Sequence, residues 1–139
     1  MRKIILASHG DFSKGLKNSV SMIVGDLANE IETYSLYPSE NPRDYMDKKS
    51  EEIQKNPETQ FIFLCDIKGG SVHTALSQLC CYKNVVVISG TNMNLVLDLL
   101  LSVHEPVNEV NGVNLLDNAK EGLTFITSNL LKDEEDEEF

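Results

Sequence analysis

Four short apolar runs, separated by segments with helical spacing, organise this chain of 139 residues. Ile4 to Ser8 is long enough for a buried strand, and Gly10 closes it. Phe12, Leu16, Val20 and Ile23-Val24 recur at helical spacing, with Asp11 or Ser13 as N-cap and Gly25 as the stop. Ile31 to Tyr37 alternates as a second strand and ends at Pro38. Asn41-Pro42 opens a second helix, because proline suits the first turn; it carries Tyr45, Met46 and Ile53 and stops before Asn56-Pro57. Phe61 to Cys65 is the strongest strand signal and ends at Asp66. Gly69-Gly70-Ser71 then leads into a helix through Ala75, Leu76 and Leu79. Val85 to Ile88 is a fourth strand, ended by Ser89-Gly90, and a helix follows from about Asn92 to Val103. Glu105 to Asn114 reads as irregular or as a short extended piece, and Leu115 to Leu131 as a last helix.

Strands alternating with helices of this length predict βαβ crossovers. The expected architecture is a doubly wound α/β fold, a mainly parallel sheet of four to five strands with helices on both faces. No internal repeat or linker divides it, so residues 1–131 form one domain. Residues 132–139, beginning Lys132-Asp-Glu-Glu, are an acidic, disordered tail in this reading.

Composition narrows the function classes. The net charge of −10 argues against nucleic acid, which needs a basic footprint. No apolar stretch reaches membrane-span length, and Met1-Arg2-Lys3 with a short apolar run is too brief for a secretory signal. The expectation is a cytoplasmic protein without membrane insertion. Cys65, Cys80 and Cys81 lack metal-ligand spacing and are expected as small buried or half-buried apolar residues, so no metal is assigned.

In a parallel sheet three strand-to-helix loops share the carboxyl edge, where such folds hold their chemistry. They are Ser8-His9-Gly10, Asp66 to Ser71, and Ser89-Gly90-Thr91-Asn92. His9 brings a side chain that titrates near neutrality and serves as base or nucleophile. Asp66 is placed to orient one imidazole nitrogen and leave the other free, although a turn aspartate has the same sequence signature. Gly69-Gly70 permits close backbone approach, and Ser71 starts a helix whose first N–H groups suit an anion. His73, two residues on, reads as a helix-surface histidine or a second site residue. His104 ends an apolar helix and receives no chemistry. No nucleotide-binding glycine loop and no serine-hydrolase elbow is present, and no cofactor is implied.

These loops carry a family resemblance. Ile4-Ile5-Leu6-Ala7-Ser8-His9-Gly10, Asp66-Ile67-Lys68-Gly69-Gly70-Ser71 and Val87-Ile88-Ser89-Gly90-Thr91-Asn92-Met93 resemble, in order and spacing, the IIA component of the mannose-type (mannose–fructose–sorbose) phosphoenolpyruvate-dependent sugar phosphotransferase system. The resemblance covers nearly the whole chain and implies a phosphotransferase. His9 would accept a phosphoryl group from the histidine-containing phosphocarrier protein and pass it to a IIB component. Asp66 would orient it, and Gly10, Gly69, Gly70 and Ser71 would surround the phosphoryl oxygens. It also implies a homodimer with a C-terminal antiparallel strand crossing the interface, supplied by Glu105 to Asn114 or by the segment after it.

Where the family commonly has an aromatic residue and a proline around the diglycine-serine, this chain has Lys68 and Val72; Met93-Asn94 stands where proline is favoured. Two alternatives share the resemblance: the phosphotransfer subunit of dihydroxyacetone kinase, and a regulatory module of the same fold that relays no phosphate.

Overall fold

The computed structural model describes residues 1–137. Four strands, β1 (Arg2–His9), β2 (Ile31–Leu36), β3 (Gln60–Cys65) and β4 (Val85–Ile88), form one sheet in the order β2-β1-β3-β4. Every pairing is parallel. Between and after the strands lie α1 (Phe12–Val24), α2 (Pro42–Lys55), α3 (Ser71–Ser77), α4 (Met93–Ser102), α5 (Glu109–Glu121) and α6 (Ser128–Glu137). The expected doubly wound α/β architecture is therefore present, with four strands.

Side-chain alternation along the strands builds two cores. Ile4, Leu6, Ile62 and Leu64 face Leu16 and Val20 of α1, Leu95, Val96, Leu99 and Leu100 of α4, and Leu115 and Ala119 of α5. Ile5, Ala7, Phe61, Phe63 and Cys65 face Ile53 of α2 and Val72 and Leu76 of α3 on the other side. A strand buried on both faces reads as a continuous apolar run, which is why these strands were conspicuous. The connection from β1 runs outward to β2, whereas the next returns past β1 to β3. The strand order thus reverses between β1 and β3, and the crevice at their carboxyl ends is the switch point.

Two expectations fail in the C-terminal third. Glu105 to Asn114 is mostly helical, because Asn108 and Asn111 make a reciprocal capping box that starts α5 at Glu109. The expected single helix Leu115–Leu131 is two helices. Gly122 ends α5, and a methyl group there would stand 2.1 Å from the Asn94 amide. Leu123 to Thr127 connects without helix before α6. Where a disordered tail is expected, Lys132 to Glu137 continue α6; Glu138 and Phe139 lie outside the described residues. Glu and Lys are good helix formers, and Thr127 Oγ1 accepts the Leu130 N–H at the helix start (3.3 Å).

The cysteine expectation also needs correction: Cys65 is buried, but Cys80 and Cys81 are exposed. They close the 3-10 turn Gln78–Cys81 in which Leu79 is the inward residue. Among the described residues no helix is long and apolar enough to cross a membrane.

Gln60, the first residue of β3, ties the amino end of the sheet to the loop before α5. Its Nε2 donates to the Val107 carbonyl and its Oε1 accepts the Val107 N–H, both at 2.8 Å. Gln60→Ala removes both bonds and leaves part-buried backbone groups unpaired, so chemical denaturation should show a loss of about 1–3 kcal/mol. An unchanged midpoint would show that this strap is energetically idle.

Candidate functional site

The site begins where the β1–β3 ladder runs out of backbone. The Asp66 N–H donates to the Ala7 carbonyl at 3.1 Å, the last rung between main chains. One residue later the partner is a side chain: the His9 N–H donates to Asp66 Oδ2 at 2.8 Å. The same oxygen lies 2.8 Å from His9 Nδ1. Asp66 Oδ1 accepts the Ile67 N–H at 2.8 Å, which turns the carboxylate toward β1. One carboxylate thus fixes the backbone and the ring of His9 together.

Burial alone would push the Asp66 pKa upward. The His9 backbone N–H and imidazole and the Ile67 N–H outweigh it and hold the carboxyl below its ordinary range. Asp66 is therefore ionised at neutral pH and acceptor-only, so Nδ1 carries the ring proton and donates it. Nε2 is left with a lone pair, and Ser71 Oγ stands 3.1 Å from it. The His9 side chain is 48% exposed and that of Asp66 14%, so a visiting group reaches the imidazole and not the carboxylate.

Gly70 presses against this ring. A methyl group added there would lie 3.2 Å from His9 Cε1 and 2.8 Å from Ile67 Cγ2, so the close approach demands glycine. The structure brings together His9, Asp66, Gly70 and Ser71. Gly10 and Gly69 adjoin them, but their N–H groups are engaged elsewhere. That of Gly10 donates to the Leu36 carbonyl (2.8 Å) and that of Gly69 to His73 Nδ1 (3.0 Å). Both glycines have positive φ and shape the turns that present the neighbouring residues.

The third loop supports the site from behind. Thr91 donates its N–H (3.1 Å) and its Oγ1 hydroxyl (2.7 Å) to the Cys65 carbonyl, which anchors the residue preceding Asp66. Asp11 holds the N-cap position of α1 without a side-chain cap; Ser8 Oγ instead accepts the Ser13 N–H at 2.8 Å. The Asp11 carboxylate accepts the Tyr37 hydroxyl, and Lys14 Nζ donates to that hydroxyl at 2.8 Å. This cluster clips the loop after β2 beside His9, where Ser39 adopts φ 71°. Leu36, Tyr37, Pro38, Ser39 and Glu40 wall the shallow depression next to His9 and Gly10. Pro38 marks the end of β2 in the sequence, and with the left-handed Ser39 it makes a turn closed by the Glu40 N–H donating to the Tyr37 carbonyl (3.2 Å). His73 is half-buried and bonded to the turn, so it is more than a surface residue.

The PTS system fructose IIA component family matches residues 3–115. The PTS fructose-specific EIIA component of Bacillus subtilis (strain 168) is 28% identical over 102 residues, 72% of this chain and 69% of that one. The PTS IIA protein associated with the fucose utilization operon of Streptococcus pneumoniae superposes with a TM-score of 0.75 at 28% identity, covering 93% of this chain and 96% of that one. The mannose/sorbose-specific IIA subunit from Enterococcus faecalis has a TM-score of 0.77 at 24% identity, with coverage of 91% and 95%, which shows a shared fold.

The Asp66 shift has a signed consequence for stability. Its folded pKa lies below the unfolded value of about 3.9, so its contribution is complete above that value and is lost as pH falls through the folded pKa. Denaturation midpoints of the wild type should fall more steeply below about pH 4 than those of Asp66→Asn. Parallel acid limbs would show that these hydrogen bonds do not stabilise the ionised carboxylate.

Proposed function

The chain belongs to the IIA component family of the sugar phosphotransferase system, and from that membership we propose that it takes phosphate on His9 Nε2 and passes it on. The observation that carries this reading is the asymmetric imidazole, with Nδ1 held by Asp66 and Nε2 turned toward Ser71 and solvent. On this reading the donor is the histidine-containing phosphocarrier protein and the acceptor a IIB component. The protein then acts as a cytoplasmic phosphotransferase.

The step needs little apparatus. The Nε2 lone pair attacks the phosphorus in line as the donor's own N–P bond breaks, so one N–P bond replaces another. Nδ1 keeps its proton throughout, and the charge gained by the ring faces the Asp66 carboxylate. Ser71 Oγ leaves the lone pair and donates to a phosphoryl oxygen, with the first N–H groups of α3 beside it. Gly10, Gly69 and Gly70 complete the loop around the phosphoryl group, Gly70 by its close approach and the other two by their turns. Phe12, at the start of the helix after His9, and Ile67, which follows Asp66, are 48% and 58% exposed, and exposed apolar side chains of this kind suit a protein partner better than a small solute.

A homodimer fits the C-terminal segment. β4 is an open edge, and an apolar groove lined by Val86, Ile88, Val107, Gly112, Val113 and Leu116 runs beside it. Leu123, Phe125 and Ile126 are 87%, 81% and 62% exposed in the same chain. An antiparallel strand from residues 123–127 of a second copy would cover the edge and the apolar side chains at once. Glu105 to Asn114, the other candidate for that strand, is largely committed to α5.

With phosphoenolpyruvate, enzyme I and the phosphocarrier protein, intact mass at alkaline pH should show one phosphoryl adduct on the wild type and none on His9→Ala. An adduct that survives His9→Ala sinks the assignment. Asp66→Ala should slow transfer by roughly 10- to 100-fold, the kinetic equivalent of one charge-assisted hydrogen bond, while the domain stays folded. In sedimentation velocity Phe125→Glu should shift a dimer to monomer, and a wild type that is monomeric at all concentrations would refute the strand exchange.

A further inference from the structure

We propose that His73 is a positioning residue of the phosphoryl site, acting through the Gly69–Gly70 turn to hold Ser71 against His9 Nε2. The inference rests on the phosphocarrier reading for its kinetic consequence and on geometry for its structural one. α3 has an unusual start, because its N-cap is Gly70, which has no side chain to cap the helix. The side chain three residues on normally reaches back to the N-cap N–H. Here His73 occupies that place and reaches one residue further, accepting the Gly69 N–H on Nδ1 at 3.0 Å. Thr74 closes the same loop, its N–H donating to the Gly70 carbonyl at 2.9 Å.

The tie fixes what comes between its ends. Gly69 is left-handed at φ 79°, Gly70 packs on His9 Cε1, and Ser71 Oγ meets Nε2. A turn free to open at Gly69 would carry Ser71 away from the reacting nitrogen, and small displacements there cost rate. Because Nδ1 must accept, His73 works as the neutral tautomer with its proton on Nε2. An imidazolium would set an N–H against the Gly69 N–H and break the tie. The two histidines are thus opposite tautomers: His9 donates from Nδ1 and His73 accepts there.

The requirement is an acceptor at the Nδ1 position, which asparagine Oδ1 reproduces at the same number of bonds from the backbone. Nitrogen-15 NMR of the wild type should find His73 neutral with Nε2 protonated. His73→Phe should move the His9 ring resonances and slow single-turnover phosphorylation about 3- to 10-fold, what one neutral hydrogen bond sustains, without lowering the final extent. His73→Asn should restore the resonances and bring the rate within about twofold of wild type. An Nδ1-protonated His73, a His73→Phe protein indistinguishable from wild type, or a His73→Asn protein slowed 3- to 10-fold would each overturn the proposal. Should His73→Phe not fold, the wild-type tautomer and the His73→Asn rate still decide. A wild type that takes no phosphate would refute the phosphocarrier reading instead, and the resonance shifts would then judge His73 alone.

Discussion

One carboxylate oxygen, Asp66 Oδ2, accepts both the main-chain N–H and the ring N–H of His9, and the remainder of the site follows from that double contact. It extends the β1–β3 ladder by one rung made from a side chain. The imidazole is thereby fixed in tautomer, direction and height above the sheet. Every other element of the site adjusts to a ring that is already placed. Gly70 supplies the gap beside it, Ser71 meets its free nitrogen, and Thr91 anchors Cys65 from the far side.

The contact exists because of topology. Only at a switch point do two neighbouring parallel strands send their following loops to opposite faces, which opens a crevice at their carboxyl ends. His9 ends one of those strands and Asp66 follows the other. The Asp66 carboxylate holds one side of the imidazole, and the Ser71 hydroxyl stands at the other.

Much of this was legible from residue order. Continuous apolar runs mark strands buried on both faces, and their ends place His9, Asp66 and Ser71 on one edge without any distance being known. What escaped was what depends on side-chain reach rather than periodicity. The Asn108–Asn111 box outweighs the weak apolar signal of Glu105 to Asn114, and the missing room at Gly122 divides a seemingly continuous helix. Cys80 and Cys81 follow the inward Leu79 and face out, which apolar character alone does not foretell. Gln60 and His73 look like ordinary polar residues until their backbone partners are seen.

The separation of the site's parts along the chain has a consequence in time. His9 meets Asp66 across 57 positions and Ser71 across 62, with two complete strands and two α-helices between His9 and Asp66. No fragment ending before α3 contains the constellation, so a nascent chain cannot assemble it until roughly half of the chain has been made. Parallel pairing of β1 with β3 must then close that long loop before the two residues meet, a slow, non-local event. Assembly of His9 with Asp66 and Ser71 is therefore a late marker of folding, reporting closure of the central strands rather than the presence of a local motif.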